Sequence, residues 1–93
     1  MYNKLCKEYA DALRKYTEAR RRLANATLDY DTMRHAARKA LYDLKESGQR
    51  KLTEEQIRSE SMVASAAAYK EYALASFECD VAKEELDAVK TIV

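Results

Sequence analysis

Ninety-three residues, 47% apolar and 35% charged, with one glycine and no proline, leave few architectures open. Sandwiches, barrels and Rossmann-type folds need repeated Gly, Pro, Asn and Asp punctuation between strands, so a multi-strand sheet is excluded and the composition reads as long helix. The net charge of +1 is unevenly laid: residues 1–46 carry eleven Lys and Arg against seven Asp and Glu, and residues 47–93 carry six against nine.

The first predicted element is a helix over 2–46. A seven-residue row runs through Tyr2, Tyr9, Tyr16, Leu23, Tyr30, Ala37 and Leu44, and a second row follows three residues behind it at Leu5, Ala12, Ala19, Ala26, Met33 and Ala40. Two apolar rows sustained over about six heptads are the pattern of a helix that supercoils against another. Large side chains fill one row and alanine the other, so a partner backbone can come close on the alanine side. Asn25 to Asp31 lowers helix propensity without breaking the period.

The turn falls at 47–53. Gly48 can adopt the left-handed conformation that ends a helix. Thr53, Glu54, Glu55 and Gln56 then form a capping box, flanked at the staple positions by Leu52 and Ile57. A second helix is predicted over 54–92, with one row at Tyr72, Cys79, Leu86 and Val93 and another at Ser61, Ala68, Ala75, Ala82 and Val89. A connection this short makes the two helices antiparallel neighbours. The expected fold is all-α, one coiled-coil-like helical hairpin spanning 1–93, in which residue i faces about residue 98–100 minus i. In that register the basic stretch Arg14 to Lys39 lies along the acid-rich second helix.

Helix two also carries a second apolar stripe on its opposite side: Val63, Ala67, Leu74, Phe77, Val81, Ala88 and Ile92. One hairpin partner cannot cover both stripes, and an exposed stripe of this size marks a contact. Helix one offers a weaker counterpart in Ala10, Leu13, Thr17, Ala24, Leu28 and Tyr42. The stripe is the expected self-association surface, through which two hairpins make a four-helix bundle or a larger ring, the alternatives being a different partner protein or a stripe simply left exposed.

Little in the chain carries chemistry. His35 has only Asp31 as a neighbour one turn away, which is no metal site. Neither cysteine has a histidine beside it, and no glycine-rich phosphate loop exists. No enzyme activity, cofactor, metal or small-molecule substrate is expected. Apolar runs reach only about four residues, far short of a bilayer span, and the charged N-terminus is unlike a secretory signal. Cys6 and Cys79 fall about 13 residues out of register, roughly 20 Å apart at 1.5 Å per residue, so free thiols in a reducing cytoplasm are expected. Arg14, Lys15, Arg20, Arg21, Arg22, Arg34, Arg38 and Lys39 are candidates for contacting nucleic acid, with tyrosines nearby that could stack on unpaired bases. The competing reading is that these charges pair with helix two's acids and keep the chain soluble.

The layout of a long Tyr/Ala heptad helix, the turn segment Lys51-Leu52-Thr53-Glu54-Glu55-Gln56-Ile57, and an alanine-rich helix with Ala68-Tyr69-Lys70-Glu71-Tyr72-Ala73 resembles small accessory proteins encoded by bacteriophages. Among these it is similar to phage recombination mediators, a resemblance that implies an oligomeric helical protein loading a recombinase onto single-stranded DNA in a bacterial cytoplasm. No binding motif of that family carries over residue by residue. Compact phage inhibitors of host defence, the anti-CRISPR proteins, share this length and stand as the alternative, acting by protein contact. A plain structural coiled-coil module is the third.

Overall fold

A computed structural model of the chain describes residues 2–92, apart from the Tyr2 side chain. Among them all regular structure is helix, with no strand: α1 spans Tyr2–Glu46, α2 Glu54–Ala64 and α3 Ala66–Ile92. Val93, the last member of an expected row, lies outside the described residues, as does the side chain of Tyr2. By contact density the chain forms two compact units, Met1–Asn25 with Ala73–Val93, and Ala26–Tyr72.

The single helix expected over 54–92 is instead two, and the interruption is one residue, Ser65. Its backbone sits at φ −100° and ψ 11°, and its N–H donates to the Ser61 and Val63 carbonyls. Its buried hydroxyl also donates to the Ser61 carbonyl at 2.8 Å. A serine hydroxyl bonding back to the i−4 carbonyl competes with the helical ladder and bends it. α3 resumes at once, with the Tyr69 N–H on the Ser65 carbonyl at 2.9 Å.

In the unit built from the two chain ends, the core is made mostly of small residues. Ala12, Ala19, Ala75, Cys79, Ala82 and Leu86 are all buried, and Tyr16 and Leu23 pack against the cluster of Ala19, Cys79 and Ala82. Alanine on both helices lets the backbones approach, and the neighbouring tyrosine and leucine fill the space left over. Cys79 is thus a buried packing residue, while Cys6 is exposed, and both are free thiols.

The unit Ala26–Tyr72 contains the turn. Gly48 stands at φ +76° with open space where a Cβ would lie, so conformation and not room calls for glycine there. The last carbonyls of α1 are satisfied locally, by Ser47 N–H on Asp43 at 3.0 Å and Gly48 N–H on Lys45 at 3.2 Å. The capping box at α2 is complete: the Gln56 N–H donates to Thr53 Oγ1 at 3.2 Å, and the Thr53 N–H donates to Gln56 Oε1 at 2.9 Å. Both staple residues, Leu52 and Ile57, are buried. Burying an Ile57-sized side chain contributes roughly 1.5–3 kcal/mol.

Along residues 26–46 the buried face of α1 departs from the expected second row. Met33 is 47% exposed and Ala40 is also exposed, whereas Thr27, Arg34 and Leu41 are half-buried in their place. A straight α-helix drifts about 20° per heptad from a 3.5-residue repeat. After several heptads the companion row therefore moves from three residues behind the leading row to four.

Candidate interaction surfaces

The outer face of α3 exposes a row of apolar side chains. Leu74 is 54% exposed, Phe77 65%, Val81 37% and Ile92 69%. Ala67 and Ala88 are exposed as well, and Val63, which the break at Ser65 assigns to α2, is exposed by 76%. The opposite side of α3 holds the buried residues Ala68, Ala75, Cys79, Ala82 and Leu86. At 100° per residue the two sets lie on opposite sides of one helix. α3 is therefore apolar on two faces, of which the fold of one chain covers one.

The basic candidates sort by partner. Arg14 pairs with Asp11 of its own helix at 3.6 Å, and Arg22 reaches Glu78 of α3 at 3.5 Å. Both pairs are exposed, so each is worth at most a few tenths of a kcal/mol. Lys15, Arg20, Arg21, Arg34, Arg38 and Lys39 make no ion pair within 4.0 Å among the described residues. Arg20 lies 5.7 Å from the Tyr16 ring centroid, and Arg34 lies 5.7 Å from that of Tyr30. Ion pairing with the acidic helix thus occupies only Arg22 of the eight.

Two further groupings emerge from the geometry. Arg14, Glu18 and Arg21 line a shallow hollow on α1 with Ala10, Leu13 and Thr17, so the weaker stripe expected on helix one is edged by charges of both signs. In the unit Ala26–Tyr72, Arg34 and Arg38 share a cleft of about 650 Å³ with Arg58. Arg58 was not among the sequence candidates, although the hairpin register, which sets it opposite residues 40–42, placed it one turn from Arg38. The same cleft includes Tyr30, Ile57, Met62 and the carboxylates Glu54 and Glu55, and the buried Nε of Arg34 has no hydrogen-bond partner. Tyr30 also belongs to a ring cluster, 5.5 Å from Tyr69 and 5.8 Å from Tyr72 between centroids.

Near the turn the polar contacts are specific. The Tyr42 hydroxyl donates to Glu54 at 2.5 Å, which holds that carboxyl below the ordinary glutamate range, with help from Lys45 and Arg38. Arg50 makes a two-pronged contact with Glu60 at 2.8 and 3.0 Å, and this lowers the Glu60 carboxyl and raises the guanidinium.

His35 is exposed, and among the described residues no three His, Cys, Asp or Glu gather to hold a metal. No helix among them is long and apolar enough to cross a membrane. What fold and surface define is a class, an all-helical chain whose exposed features are an apolar helix face and unpaired arginines. No family model, curated protein or solved structure matches it.

Proposed function

We propose that the protein is a non-enzymatic interaction module. In this reading it is an antiparallel helical hairpin that assembles with a second copy through the outer face of α3, into a four-helix bundle, and presents the assembled surface to a macromolecular partner. The observation that carries the reading is Phe77, 65% exposed between exposed Leu74 and Val81 on a helix whose other face is already packed. Leaving such a stripe in water is unfavourable by about 25 cal/mol per Å² of apolar surface, which a second copy removes. Sedimentation equilibrium tests it. The native chain is expected at twice the monomer mass, and Phe77→Asp at the monomer mass with its helical circular dichroism retained. A native chain at monomer mass across the accessible concentration range would overturn the reading.

The partner favoured by the charge pattern is single-stranded nucleic acid, because Lys15, Arg20, Arg21, Arg34, Arg38 and Lys39 are left without ion pairs. This agrees with the resemblance to phage recombination mediators. It predicts binding of an unstructured oligonucleotide whose log affinity falls linearly with log salt. Absence of binding at about 50 mM salt would remove it and leave the alternative, a protein-directed inhibitor of the anti-CRISPR kind.

A further inference from the structure

The outer face of α3 reads nearly the same from both ends, to within one residue of register. Phe77 stands at its centre. Stepping along the apolar stripe toward either terminus, one meets an aliphatic residue, then a charge, then an alanine: Leu74, Lys70 and Ala67 in one direction, Val81, Glu84 and Ala88 in the other, with exposed Asp80 on the flank. The charges at mirrored positions have opposite signs. All these residues are exposed, and they lie within one continuous helix, Ala66–Ile92. Relative to Phe77, Lys70 falls about 20° to one side, within the stripe, and Glu84 about 20° to the other, along its edge.

Resting on the self-association reading above, we propose that the partner of this face is the same face of a second copy, crossed antiparallel about a two-fold axis through Phe77. In that register each Lys70 meets Glu84 of the other copy, Leu74 meets Val81, Ala67 meets Ala88, and the two Phe77 rings meet at the axis. A two-fold contact must be self-complementary, and this stripe is so only when antiparallel. The parallel in-register alternative stacks Lys70 on Lys70 and Glu84 on Glu84, and like charges held together in an interface discriminate strongly between orientations. Alanine at both ends of the stripe lets the helices approach there, and the single phenylalanine supplies the bulk at the crossing. The contact runs about 31 Å along α3, from Ala67 to Ala88.

Cysteine crosslinking and charge exchange test the register separately from the assembly. In a Cys6→Ser background, with Cys79 buried, Leu74→Cys and Val81→Cys are each expected to remain uncrosslinked alone. Their copies lie about 10 Å out of step, beyond the roughly 7 Å Cα limit of a disulfide. Mixing the two variants is expected to give a 74–81 crosslinked dimer. Lys70→Glu should weaken assembly about tenfold, and the exchange Lys70→Glu with Glu84→Lys should restore it to within about threefold of the native chain. A dimer in which Leu74→Cys crosslinks to itself, or in which the double exchange fails to recover what Lys70→Glu loses, overturns the antiparallel register and leaves self-association standing. A native chain that sediments as a monomer removes both.

Discussion

The two compact units of the chain are held by different kinds of interaction. The unit formed by the chain ends relies on close approach: Ala12, Ala19, Ala75 and Ala82 are buried with Cys79 and Leu86, and among the described residues its single ion pair between different helices is the long, exposed Arg22–Glu78 pair at 3.5 Å. The unit around the turn relies on direction, with a complete capping box at Thr53, a two-pronged Arg50–Glu60 contact, the Tyr42–Glu54 hydrogen bond and three tyrosine rings within 6.2 Å of one another. Close approach between alanine rows is sensitive to volume and charge and indifferent to pH. Hydrogen-bonded turns respond in the reverse way. One helical pattern thus yields two regions that should fail under different perturbations.

The sharpest break is expected at Ala82. A glutamate there is too large for the packed alanine row and loses its water without a partner, so Ala82→Glu should cost more than about 3 kcal/mol and unfold the chain-end unit, as urea titration followed by circular dichroism would show. Ala75→Glu should behave alike. In the turn unit the largest single loss falls at Ile57, 1% exposed, where truncation to alanine should cost about 2–5 kcal/mol in the same assay.

These effects were legible in the sequence to different degrees. The rows at Ser61, Ala68, Ala75 and Ala82 and at Cys79 and Leu86 fall on the buried side, because a repeat of seven needs only local helix to define a face. The capping box and staple were readable for the same reason, since their partners lie within five residues. The break at Ser65 was not, because a serine bonds back to its own helix most readily where burial denies it water, and burial is a tertiary fact. The drift of α1 was hidden as well: Met33 and Ala40 sit in step with a perfect heptad, while the helix turns slightly more slowly than the repeat and brings Arg34 and Leu41 inward. For the same reason Arg34 is a half-buried residue over Tyr30 and not part of a uniform solvent-facing basic stripe.

Smaller effects should separate the regions further. Thr53→Ala removes one half of the capping box and should cost about 1 kcal/mol, with raised amide exchange confined to the first turn of α2. Acid should act on the turn. Glu54 and Glu60 are held below their ordinary value of 4.5 in the fold, so the stability they add is present above that value and is lost as pH falls through their lowered native values. Both are exposed, so the loss is slight. It should appear as faster opening of residues 50–60 in exchange measurements corrected for intrinsic rates.

The central claim, that the outer face of α3 is covered by another copy, has a built-in reporter, since Phe77 is the only phenylalanine of the chain. Uniform incorporation of 4-fluorophenylalanine places one fluorine at the proposed two-fold axis. The account predicts two fluorine signals, or one moving signal, whose balance shifts toward the position of a water-exposed ring as the protein is diluted. A single resonance at that exposed position, unmoved by concentration, would contradict it.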